Sequence, residues 1–180
     1  MKPPGAASLA MFFTLLTGVA RAGDLPDSTK TPGVPLHAVP AEAAACLSRL
    51  MGQTVRTGEP ISRDMLCADR YTTCIRDVTD GEKKRVYQRY GLSNNRAGYC
   101  SGPEGCEVDH LISLEIGGAN DINNLWPQPY QGTTWNARVK DDLEKELQKM
   151  VCAGRISLEQ AQKEIATDWI SARKKCLGNK

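Results

Sequence analysis

Histidine is scarce in this sequence: His37 and His110 are the only two among 180 residues. Aromatic residues make up 6%, and both phenylalanines, Phe12 and Phe13, fall within the first 22 positions. No C-x-x-C pair occurs, which argues against a thiolate zinc knuckle. The mostly apolar stretch Ala6 to Ala20 falls short of the ~20 residues that a bilayer-spanning helix needs. With Lys2 ahead of it and Ala20-Arg21-Ala22 behind, it reads instead as a signal peptide over residues 1–22, cleaved before Gly23. The protein is therefore expected to be exported, periplasmic or secreted, with no stable membrane anchor after cleavage. An excess of charge of either sign is also missing. The leader holds only Lys2 and Arg21, so 21 basic and 21 acidic residues remain beyond it. Neutrality argues against strong non-specific adhesion to nucleic acid, which draws on net phosphate neutralisation, yet it leaves room for a local basic groove.

What the chain has instead is cysteine: seven, all beyond the leader, at 46, 67, 74, 100, 106, 152 and 176. In an exported protein they read as a disulfide framework with one left over. Cys100 and Cys106 flank a turn-forming Ser-Gly-Pro-Glu-Gly and suit a small closed loop. Cys152 and Cys176 bracket a mainly helical segment. They would stand on the order of 25 Å apart, beyond the ~7 Å limit of a bridge, so Cys152 is expected to tie back to the N-terminal half.

Four segments follow from the pattern. Residues 1–22 are the leader, and 23–45, interrupted by Pro26, Pro32, Pro35 and Pro40, read as an arm or linker. Residues 46–106 form a cysteine-containing portion with one clear element, a helix opened by the capping box Thr79 to Glu82 and stopped by Gly91. Residues 107–176 carry the rest. An extended run is expected over Cys106 to Glu115 and a short second strand over Asn124 to Trp126, ended by Pro127. A helix is expected from Thr133 or Thr134 to Cys152, with an apolar stripe of Val139, Leu143, Leu147 and Met150. The last helix is capped by Ser157 and striped by Leu158, Ala161, Ile165, Trp169 and Ala172.

Polar residues interrupt this unit where its elements meet: Asp109-His110 in an apolar strand, Asn124 opening the second strand, and Asn136 and Lys140 one turn apart on the helix. The run Val108-Asp109-His110-Leu111-Ile112-Ser113-Leu114-Glu115-Ile116-Gly117-Gly118, then Asn120-Asp121-Ile122-Asn123-Asn124-Leu125-Trp126-Pro127, then Asn136-Ala137-Arg138-Val139-Lys140-Asp141 resembles the HNH family, the ββα-metal or His-Me finger nucleases. The resemblance covers about residues 107 to 152. It implies an α+β fold with a ββα-metal core, one divalent metal clasped between a hairpin and a helix, and cleavage of a phosphodiester, that of DNA above all, by activated water. It further implies His110 as general base, Asp109 and Asn136 as metal ligands, Asn124 as the residue that orients the base, and Lys140 as a further lysine or ligand position.

The chemistry stands beside the resemblance. Imidazole can take a proton from water near neutral pH. A carboxylate and an amide oxygen suit a hard cation such as Mg²⁺, with Mn²⁺ or Zn²⁺ as alternatives, and the ammonium of Lys140 can hold a phosphate oxygen as a point charge. Asn136 in place of a histidine makes zinc less favoured. Adjacent strand residues face opposite sides, so Asp109 and His110 can share a metal only across a bulge or bend. Taken singly, Asn136 suits an N-cap and Lys140 a solvated helix face. His37 reads as inert, Glu115 as a structural hydrogen bonder, and Trp126 and Trp135 as packing residues. The competing class is a non-catalytic exported binding or envelope protein on the same scaffold. A Cys/His hydrolase is disfavoured, because an exported thiol tends to oxidation and no cysteine adjoins His110.

Overall fold

The computed structural model describes residues 21–178. Residues 1–20, which carry the expected leader, lie outside it. Six α-helices, three 3₁₀ turns and one hairpin make up the regular structure of the described residues.

The N-terminal portion is helical: α1 (Ala41–Met51), α2 (Arg63–Leu66), α3 (Tyr71–Ile75) and α4 (Asp80–Arg89). Ala43 and Leu47, one turn apart on α1, are buried with Val39, Leu66, Tyr71 and Ile75 in a small core. Both reciprocal bonds of the capping box form at α4, between Thr79 and Glu82. The disulfides Cys46–Cys74 and Cys67–Cys152 tie α1 to α3, and the end of α2 to the end of α5 (Ala137–Cys152). Cys100–Cys106 closes the small loop, and Cys176 is free.

The proline-rich segment after residue 22 is no detached linker. Leu36 N–H donates to Gly117 O at 2.7 Å, Ala119 N–H donates to Val34 O at 2.9 Å, and the Trp169 indole donates to Asp24 O at 2.8 Å. Proline bars helix here but leaves carbonyls and apolar side chains free to pack. The segment therefore lies along the core, and its last residues already belong to α1.

The hairpin is β1 (Cys106–His110) antiparallel to β2 (Leu125–Pro129), with Val108 opposite Pro127 and His110 opposite Leu125. The second strand continues through two prolines. Bonds from Leu111 N–H to Asn124 O and from Tyr130 N–H to Gly105 O flank the ladder. Alternation then places Pro127 and Pro129 where the missing N–H would face outward, at no cost in ladder bonds. The first strand stops five residues short of Glu115. Pairing ends with the bond from Leu111 N–H to Asn124 O, and Ser113 caps a 3₁₀ turn over Leu114–Ile116.

Helix α5 begins at Ala137, later than expected, because Asn136 is its N-cap, its side-chain oxygen accepting from Val139 N–H at 3.3 Å. Its buried line is Ala137, Lys140, Leu143, Leu147 and Val151, so a lysine occupies a core position. α6 (Leu158–Leu177) is broken at Asp168, whose carboxylate caps the next turn by accepting from Ile170 and Ser171 N–H. α5 and α6 pack against the hairpin around Leu111, Ile116, Trp126, Leu143, Ile165 and Trp169. Trp135 meets Trp169 edge to face, with centroids 6.2 Å apart. The whole is a mixed α and β protein with one small sheet.

Gly118 shows how tightly the turn after β1 is drawn. A Cβ there would stand 1.7 Å from Ile112 O and 2.9 Å from Asn124 Nδ2. Gly118→Ala is expected to lose about 1–3 kcal/mol by overpacking. Gly81→Ala inside α4, where the nearest atom would be 3.8 Å away, is expected to be neutral or stabilising by about 0.5–1 kcal/mol. Urea unfolding of the two variants reads the contrast.

Candidate active site

His110, 3% exposed, closes β1 at the wall of a cleft of about 240 Å³. Nε2 lies 3.0 Å from Asn120 Oδ1. Asn120 Nδ2 in turn donates to Ile75 O at 2.7 Å, which turns the amide oxygen toward the imidazole. An amide oxygen only accepts, so Nε2 carries the hydrogen and Nδ1 keeps the lone pair. Burial pushes the imidazole down to about 4, against the opposing pull of Asp109 and Asn120. The ring is therefore neutral at pH 7, with a fixed tautomer and an unprotonated nitrogen.

The pairing runs regularly through Asp109 and His110, so the bulge or bend expected between them does not form, yet both residues line the same cleft.

Lys140 is fully buried, and its ammonium has three protons. They go to Asp109 Oδ2 at 2.6 Å, to His110 O at 2.7 Å and to Glu144 Oε1. None remains for a phosphate. The solvated-face and phosphate-holding expectations both give way to a buried tie between α5 and the end of β1. Burial disfavours the charged ammonium, but Asp109 and Glu144 outweigh it and hold Lys140 charged.

Asn124 does not touch the imidazole. Its amide makes four bonds to backbone: it accepts from Ile112 and Val34 N–H and donates to Ile112 and Ala119 O. It shapes the turn that follows His110, while the imidazole itself is held by Asn120. Asn136 is not brought to the cleft at all. It caps α5, with Nδ2 donating to Thr133 O at 3.3 Å. His37 likewise lies away from the cleft.

Three further carboxylates face the cleft: Glu115, Asp141 and Glu144. Glu115 Oε2 is buried without a hydrogen-bond partner, so the structural bond expected of it does not form. Burial pushes all three up, and the charge of Asp109 adds to the effect on Asp141 and Glu144. Two cations complete the lining, Arg76 and Lys145, and neither has a salt bridge among the described residues.

The donors suit a hard cation better than zinc. Among the described residues no group of three or more His, Cys, Asp or Glu is gathered closely enough to hold a metal by itself. A Mg²⁺-like ion does not require that, since it takes one or two carboxylates and fills its shell with water and phosphate oxygens. Asp109 and Asp141, brought to one cleft from β1 and α5, and the unpartnered oxygen of Glu115 are oxygen donors of the type such an ion takes.

Asp141, Glu144 and Lys145 were readable as neighbours of Lys140 on successive turns, and Asn120 sits inside the matched run. Arg76 carries no local signal. No helix of the described residues is long and apolar enough to cross a membrane. Comparison of the chain with protein-family models, with curated proteins and with solved structures returned no match.

Proposed function

We propose that this protein is an exported, metal-dependent endonuclease with an HNH-type ββα unit formed by β1, β2 and α5. The observation that carries the reading is the setting of His110: its ring, held at Nε2 by Asn120, lines a cleft together with four carboxylates and with two cations that form no salt bridge among the described residues. Nδ1 takes the proton of a water molecule, and the resulting hydroxide attacks the phosphorus of a phosphodiester, DNA being the favoured substrate, while the opposite P–O bond breaks and the leaving oxygen takes a proton from solvent. Asn120 holds the ring so that the proton enters at Nδ1. Asp109 with Asp141 or Glu115 would hold the divalent ion, Mg²⁺ or Mn²⁺, which when bound offsets charge on the phosphate and leaving oxygen. Lys140 keeps Asp109 in place and does not meet substrate. The three disulfides suit an oxidising compartment.

A second reading, a non-catalytic exported binding protein on the same scaffold, draws on the neutral charge beyond residue 22 and on the lack of a ready three-ligand metal cluster. Plasmid DNA and RNA incubated with the purified, oxidised protein separate the two. Cleavage is expected with Mg²⁺ or Mn²⁺, is stopped by EDTA and returns on adding the metal back. Cleavage that persists in EDTA removes the metal from the mechanism. No cleavage with any metal, and no heat of cation binding by calorimetry, favours the binding protein.

A further inference from the structure

We infer that Arg76, which lies outside the HNH-like unit, binds the scissile phosphate; the inference rests on the nuclease reading and deepens it. Arg76 directly follows α3 and lines the cleft that contains His110. Its placement is tied to that of the base, since the preceding carbonyl, Ile75 O, receives the Asn120 amide that holds the imidazole. One short segment thus sets both the direction of the ring and the position of the guanidinium.

Charge gives the reason for an anion at this point. Asp109, Glu115, Asp141 and Glu144 formally outnumber Arg76, Lys145 and the buried Lys140 by one. A divalent cation turns that excess into one net positive charge, which a phosphodiester then neutralises. Of the cations, Lys140 has no free proton. Arg76 is exposed, forms no ion pair among the described residues and offers the planar fork that matches two phosphate oxygens. Lys145, also exposed, can add only a point charge.

The test separates binding from chemistry. A labelled short DNA duplex is titrated in Mg²⁺ across a salt series against His110→Ala, whose slowed cleavage leaves the duplex intact during the titration, and against His110→Ala/Arg76→Gln. Loss of one phosphate contact lowers the slope of log affinity against log salt by about 0.9. In the active background Arg76→Gln is expected to lower kcat/KM on the same duplex by about 10²-fold, with Arg76→Lys recovering part of the loss. An unchanged slope with wild-type cleavage overturns the role of Arg76 and leaves the nuclease reading standing. An unchanged slope with lost cleavage also overturns it, since the residue then acts on the arrangement of the cleft and not on the phosphate. A wild-type protein that neither binds nor cuts the duplex overturns the nuclease reading, and this inference with it. Arg76 is exposed, and circular dichroism of the Gln and Lys variants checks that the fold is kept.

Discussion

His110→Ala is expected to lower kcat on plasmid DNA by about 10²–10⁴-fold, the usual contribution of a positioned general base, while the protein stays folded. The imidazole makes a single side-chain hydrogen bond, to Asn120, and borders an open cleft that water can fill. Losing that bond costs on the order of 1 kcal/mol, too little to unfold a domain with three disulfides. Added imidazole should restore part of the activity of the variant, a recovery that a purely structural histidine would not show. Asn120→Ala is expected to fall between wild type and His110→Ala, about 10–100-fold down, as is typical for a residue that orients another. Equal activity of His110→Ala and wild type, with both folded by circular dichroism, would sink the assignment of the base.

Lys140→Met should be the most destabilising single change in the unit, by about 3–5 kcal/mol. It leaves Asp109 and Glu144 facing each other with side chains only 17% and 12% exposed and no counter-charge. For a chain of this length that corresponds to a fall in Tm on the order of 10 °C. Replacing the carboxylates as well, with Asp109→Asn and Glu144→Gln, should recover most of the loss, because the cost lies in the stranded charges and not in the missing contact. The pH dependence has a definite sign. Burial raises Glu144 in the folded state, so without the ammonium the unfolded chain holds the charged carboxylate more readily. The deficit of Lys140→Met is then full above the raised value and shrinks as the pH falls and Glu144 takes up a proton. Urea unfolding at neutral and acidic pH reads it. A variant as stable as wild type at neutral pH would mean that the buried tie contributes nothing.

Much of the local structure follows from short-range chemistry. The Thr79 capping box, the Ser157 cap, the glycine stops and the loop between Cys100 and Cys106 all depend on neighbours within a few residues, and they form where the chain places them. The exclusion of a Cys152–Cys176 bridge holds for the same reason, since helical rise alone separates them. The ends of the strands were less readable. Whether β1 stops at His110 depends on the Asn124 amide gripping Ile112 from another turn.

The candidate site divides along the same line. Asp109 and His110 are visible in the sequence as polar residues in an apolar strand, but that run was expected to continue to Glu115, and its end at His110 is set by the fold. The same residue types at Asn124, Asn136 and Lys140 take different work in the fold: one amide holds a loop, one caps a helix, and the lysine lies buried between two carboxylates. Spacing along a helix tells which side a residue faces, but not whether that side is met by water, by hydrocarbon or by another charge. The packing of the whole chain settles that. It also brings Arg76 and the Ile75 carbonyl to the surroundings of His110, because α3 is held by its buried side chains and by the Cys46–Cys74 bridge, contacts made between residues far apart in the chain.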